Sequence, residues 1–196
     1  EVSRPTGMHM PGIASFSFAP FPIPPLIAVA GNGRGFLAAE WVDEDQGELV
    51  LTLYRPSGNV EWIRRIPYGS PRVPAEVRDS LILEGAIMAE PVVARAQRRG
   101  TLGERSVRQL VDEGLYLPEF YPPASAIHLG PDGSVWFRDG QIMESVKWTV
   151  LDSIGDQRFT VKLPRDFQVQ AGTLGWVWGT TLDDLDVPYV VRYDIR

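Results

Sequence analysis

The feature that most narrows what this chain can fold into is a repeat. Residues 48–67 lie over residues 145–164 without a gap, at a constant offset of 97: Thr52 meets Thr149, Gly58 meets Gly155, Trp62 meets Phe159 and Pro67 meets Pro164. Each copy reads as a hairpin. In Glu48-Leu-Val-Leu-Thr-Leu-Tyr54 the residues Leu49, Leu51 and Leu53 share a face, and in Ser145-Val-Lys-Trp-Thr-Val-Leu151 so do Val146, Trp148 and Val150, which is the period of two that a strand imposes. A glycine turn follows in each copy, Arg55-Pro-Ser-Gly58 and Asp152-Ser-Ile-Gly155, then a second strand over residues 59–66 or 156–163, then a proline. A chain that spells one supersecondary unit twice points to a repeat architecture, in which neighbouring units bury each other's apolar faces.

Upstream of each hairpin lies another pair of short strands, residues 26–30 with 36–42 in the first unit and 125–129 with 135–138 in the second. Each unit is therefore predicted to hold four short antiparallel strands. A third unit follows over residues 167–171, 174–179 and 187–195, with three clear strands; its fourth is expected either from Ala14 to Phe18 near the N terminus or from nothing in this chain. Trp176 and Trp178 share one face of their strand and Val177 takes the other, which predicts an inner strand buried on both sides. The three sheet units are placed at about residues 14–67, 122–164 and 166–196.

The segment between the first two units has helical spacing. Val73, Val77, Leu81 and the Leu83/Ile87 pair recur at that interval, Ser70 and Pro74 stand near the start, and Pro91 interrupts the run; a second short helix is predicted over residues 104–113, ending at Gly114. A helical insertion at about residues 70–114, in a connection that ends near Tyr121, accounts for a repeat offset roughly twice the ~40–45 residues of one propeller blade.

Composition works by exclusion. Nineteen Lys and Arg against 25 Asp and Glu give a net charge of −6, which argues against a nucleic-acid or anionic-membrane partner. The one basic cluster, Arg95, Arg98 and Arg99, ends a predicted helix, where it complements the dipole. Cysteine is absent, so disulfides, thiolate metal sites and cysteine nucleophiles are excluded, while the compartment stays open. The most apolar early stretch, residues 13–30, carries Pro20, Pro22, Pro24 and Pro25 and suits neither a spanning helix nor a signal-peptide core. Glu1 is not an initiator methionine, so a processed chain or a fragment is expected.

Taken in order, Leu117-Pro-Glu-Phe-Tyr-Pro-Pro123, Gly130-Pro-Asp-Gly-Ser-Val-Trp-Phe-Arg138, Trp148-Thr-Val-Leu-Asp152, Val161-Lys-Leu-Pro164 and Asp183-Asp-Leu-Asp-Val-Pro-Tyr-Val-Val-Arg-Tyr-Asp-Ile195 resemble the closing blades of bacterial six-bladed β-propeller proteins. The insertion after Arg65-Ile-Pro67 resembles theirs too, and the resemblance covers about residues 16–196. It implies an all-β fold: about three four-stranded antiparallel blades of a six-bladed ring, with a helical inter-blade insertion and about three further blades before this start. Many such proteins are exported and have no assigned activity, so the resemblance suggests a periplasmic or secreted location. It brings no catalytic set, because the shared residues belong to turns and core.

Several residues invite a chemical reading. His128, in Ser125-Ala-Ile-His-Leu129, is placed to serve as a base or ligand in a central channel, against the commoner reading of a strand histidine facing solvent or a neighbouring blade. His9 sits in a predicted tail. The acidic runs Asp183, Asp184, Asp186 and Asp43, Glu44, Asp45 offer hard oxygen ligands, but neither has the ligand number of a calcium loop, and a solvated turn is the reading adopted. Gly31-Asn-Gly-Arg-Gly35 lacks the Lys-Ser/Thr and following helix of a phosphate cradle and reads as a strand connection. Trp136, Trp148, Trp176 and Trp178 could line a ligand groove, yet blades packed face to face use such residues to fill their interface. No nucleophile elbow and no zinc-type histidine spacing appears in the sequence.

No catalytic, binding or metal residue and no cofactor is therefore assigned. The expected function is a non-catalytic propeller binding or scaffold module for a protein or small-molecule ligand, through an end face or the insertion, with self-association through exposed blade faces. The alternative is a fragment of a metal-dependent propeller hydrolase or lyase, lactonase-like, whose remaining site residues would lie in upstream blades.

Overall fold

Period-two alternation becomes three antiparallel sheets. The computed structural model describes residues 20–33, 35–100, 106–140 and 145–195. The first sheet comprises β1 (Leu26–Val29), β2 (Phe36–Glu40), β3 (Gln46–Tyr54) and β4 (Val60–Gly69). Beyond two helices, α1 (Ala75–Arg98) and α2 (Val107–Gly114), the second holds β5 (Ala126–Leu129), β6 (Val135–Arg138), β7 (Ser145–Leu151) and β8 (Gln157–Pro164), and the third holds β9 (Gln168–Gly172), β10 (Trp176–Leu182) and β11 (Pro188–Asp194). Within each sheet, strands adjacent in sequence pair. Ala14 to Phe18, the expected source of a fourth strand for the third sheet, lies outside the described residues.

The repeated hairpin is repeated in detail. β3 pairs with β4 through Leu53 and Trp62 and then Tyr54 and Val60, so Glu61 is bulged out; 97 residues on, β7 pairs with β8 through Val150 and Phe159 and then Leu151 and Gln157, with Arg158 bulged. Gly58 donates to the Arg55 carbonyl at 2.9 Å and Gly155 to the Asp152 carbonyl at 3.0 Å. Both glycines sit at φ 83°, left-handed backbone that a side chain disfavours.

The first strands β1, β5 and β9 lie side by side, and the sheets bury their faces on one another in chain order. Leu37, Ala39, Leu49 and Leu51 of the first sheet share a core with Ile127, Val135, Phe137 and Leu151 of the second. The second sheet's opposite face puts Trp136, Trp148, Val150 and Leu163 against Val169 and Val177 of the third. Gly172 passes beneath the Trp136 ring, where a Cβ would come within 2.7 Å of it.

The third sheet departs from expectation. Val177 is fully buried, but Trp176 is only half-buried and Trp178 is exposed, so β10 is covered on one face and not two. No further sheet among the described residues packs on that side.

The helices form a separate unit with Arg72–Phe120. Its ends meet in an antiparallel bridge between Arg72 and Phe120, and Arg78 donates to the Pro118 carbonyl at 2.8 Å. The buried stripe of α1 is Ile82, Gly85, Ala89, Val93 and Ala96, packed with Leu110, Val111 and Leu115. Leu83 and Ile87, the pair that the spacing singled out, are exposed. Pro91 lies inside α1 without ending it. The carbonyl whose partner it removes belongs to Ile87, on the exposed side, where water can satisfy it. Ser106 opens α2 with a reciprocal cap: its Oγ accepts from the Gln109 N–H at 3.2 Å and its own N–H donates to Gln109 Oε1 at 3.1 Å. The expected start at residue 104 lies outside the described residues.

Candidate functional site

Polar groups in the turns of the sheet unit join its own sheets. Asn32 in the β1–β2 turn donates from Nδ2 to the Pro131 carbonyl in the β5–β6 turn at 3.1 Å. One sheet on, Asp132 in the β5–β6 turn accepts the Leu174 N–H of the β9–β10 turn at 3.0 Å and also holds the Ser134 N–H and hydroxyl. Burial alone would raise the Asp132 carboxyl, but the hydrogen bonds from Ser134 and Leu174 outweigh it and hold the pKa below its usual value. Trp62 and Arg64 of β4 reach the carbonyls of Ser153 and Ile154 in the β7–β8 turn.

The acidic runs are turns as well. Asp183 uses one carboxylate oxygen to accept the N–H groups of Leu185 and Val187 at 2.8 and 2.9 Å, and Asp186 takes the left-handed position at φ 58°. Asp45 gives its carbonyl to the Ser70 N–H. Among the described residues no three His, Cys, Asp or Glu side chains converge as metal ligands would. In the connection between β1 and β2, Gly33 donates to the Ala30 carbonyl and Ala30 to that of Gly35. Arg95 and Arg98 lie in the last turn of α1 and Arg99 is its C-cap. His9 lies outside the described residues. No described helix is long and apolar enough to cross a membrane.

One cluster does not fit that pattern. It lies on the second sheet's face toward the third, at the β5 side. Arg138, the last residue of β6, stands opposite Ala126, and His128, two residues along β5, stands opposite Trp136, so both project from the same face. Arg138 is half-buried and donates from Nε to Ser125 Oγ at 2.6 Å, while that hydroxyl donates to the Asp139 carbonyl at 2.8 Å. Burial lowers the guanidinium's pKa, but an arginine keeps its charge at neutral pH. The nearby Asp139 carboxylate pairs with Lys147 at 3.2 Å, and no described carboxylate pairs with Arg138. His128 tilts against Trp148 with ring centroids 5.4 Å apart. Burial, and then the charge of Arg138, push its pKa below the usual value, so the imidazole is neutral at physiological pH. Behind them the indole N–H groups of Trp136 and Trp148 are buried with no acceptor among the described residues.

A charged guanidinium already drawn partly out of water, with a neutral imidazole beside it, offers hydrogen-bond donors of the kind that suit an oxyanion. Among the described residues no carboxylate is hydrogen-bonded to His128. Sequence reasoning singled out His128 and missed Arg138 and Ser125. Counting outward from the 130–134 turn would have placed residue 138 opposite residues 125 and 126.

Comparison with family models, with curated proteins and with solved structures returns no match.

Proposed function

We propose that this chain is a non-catalytic binding or scaffold module of the six-bladed β-propeller kind, working at the cell envelope or outside it, whose ligand presents an oxyanion to Arg138. One observation carries the architecture: in successive sheets a side chain of the first turn bonds the backbone of the next sheet's first turn, Asn32 donating to the Pro131 carbonyl and Asp132 accepting the Leu174 N–H, with first strand laid beside first strand each time. Sheets related by a repeated step draw much of their stability from the interfaces between them. The two outermost faces lack such an interface among the described residues. On the first sheet Ile27, Ala38, Thr52 and Ile63 form one row, with Ile27 63% exposed; on the third, Trp178, Leu182 and Val190 are exposed. Through these faces the chain self-associates.

Calorimetric titration with a panel of carboxylates and phosphate esters tests the ligand reading. At least one should bind, and Arg138→Gln should weaken it by about tenfold or more, since charge-assisted hydrogen bonds are lost. Equal binding by the variant, or turnover of the bound compound, contradicts the proposal.

A further inference from the structure

We infer that the outer edge of β11 receives an extended peptide strand from a partner, one that alternates large apolar with basic residues and joins the third sheet as its fourth strand. β11 pairs with β10 along its whole length, from Pro188 opposite Leu182 to Asp194 opposite Trp176, and among the described residues nothing pairs with its other edge. A strand edge presents alternate N–H and C=O groups that a second chain can complete. The molecule's other outer edges carry guards. β4 has Arg64, Arg65 and Pro67, and β8 has Arg158, Lys162 and Pro164, charges and prolines that discourage edge pairing. β11 has Pro188 and Asp194 at its two ends, and between them the run Tyr189-Val-Val-Arg-Tyr193 holds one charge and no proline, with Val190 68% exposed.

A groove of about 580 Å³ runs beside this strand, walled by Phe159, Val161 and Leu163 of β8 and by Val177, Tyr193 and Ile195. A strand laid on the edge of β11 would turn every second side chain toward these walls. The two complete sheets show what suits such a place. Their fourth strands read Trp62-Ile-Arg-Arg-Ile-Pro67 and Phe159-Thr-Val-Lys-Leu-Pro164, in which the covered positions, Trp62, Arg64 and Ile66 or Phe159, Val161 and Leu163, alternate with exposed ones. Charge points the same way. Residues 183–195 carry Asp183, Asp184, Asp186 and Asp194 against the single Arg192, which is itself 3.1 Å from Asp194. A basic strand complements the acidic β10–β11 turn at the start of that edge, and an acidic one does not.

The probe is the capped, fluorescent peptide Gln-Arg-Phe-Thr-Val-Lys-Leu-Pro, residues 157–164 of this chain, titrated into the full chain by anisotropy. Saturable binding is expected, weaker at high salt and several-fold weaker in the Asp184→Asn, Asp186→Asn double variant, which keeps a residue suited to the left-handed position. Two N-methylated peptides separate strand pairing from adhesion: one methylated at Arg158, Thr160 and Lys162, the other at Phe159, Val161 and Leu163. Only alternate N–H groups face a given edge, so one should lose binding and the other keep it. Equal behaviour of the two, or no saturation below about 1 mM, overturns the proposal. The same titration on a Phe16→Asp, Phe18→Asp chain tests the remaining occupant. Binding seen only there would assign the edge to the chain's own N-terminal segment and overturn the partner.

Discussion

The second and third sheets carry the same kind of sequence and meet opposite fates. Each alternates, and each has a pair of tryptophans: Trp136 and Trp148 in the second, Trp176 and Trp178 in the third. Trp136 is fully buried, while Trp178 is 37% exposed. What separates them is the number of neighbours. The second sheet has one on either side, so both of its faces become core; the third has one among the described residues. Apolar alternation thus records that a face can be buried, and the count of neighbouring sheets decides whether it is.

Four substitutions and a pH series sharpen or break this comparison. The largest effect belongs to Trp136→Ala, which empties the interface between the two sheets and should cost about 3–5 kcal/mol in urea denaturation. Trp178→Ala should stay within about 0.5 kcal/mol, as an exposed position does. Equal losses would show that the third sheet's outer face is covered in solution. Next comes the turn carboxylate. Asp132 and Asp183 both accept N–H groups within their own turns, but only Asp132 also reaches the neighbouring sheet. Asp132→Ala should cost about 1–2 kcal/mol and Asp183→Ala about 0.5 kcal/mol.

The smallest effect is the pH dependence of His128. Its folded pKa lies below the unfolded one, so the unfolded chain binds the proton more readily. Its contribution is full above about pH 6.5 and is lost as pH falls through the folded value. His128→Gln should flatten stability over the upper part of that window. Asp132 acts in the same direction, below the ordinary carboxylate range, because its folded pKa is lowered too. An unchanged slope in His128→Gln would mean that the imidazole is solvated.

Much of this fold was legible because strands announce themselves locally. The offset of 97 found the paired hairpins, and even the bulges at Glu61 and Arg158 obey it. The buried face of α1 was not legible, because its seam is made of Gly85, Ala89 and Ala96, whose small side chains carry little hydrophobic signal, while the larger Leu83 and Ile87 face outward. The exposure of Trp178 was misread for a related reason: no local pattern states how many sheets a strand will meet. At the candidate site His128 drew notice as a rare residue type. Arg138 did not, because what distinguishes it is partial burial without a described carboxylate partner, and that emerges only when β5 and β6 are in register.

The central claim is that these three sheets stack first strand beside first strand, with an apolar face at either end that no described residue covers. Light scattering across a concentration series tests it most directly, because two copies can bury both faces at once under two-fold symmetry. The account predicts reversible association at tens of micromolar, reduced by Ile27→Asp on the first sheet and by Val190→Asp on the third. A monomer that melts cooperatively over the whole series would contradict it.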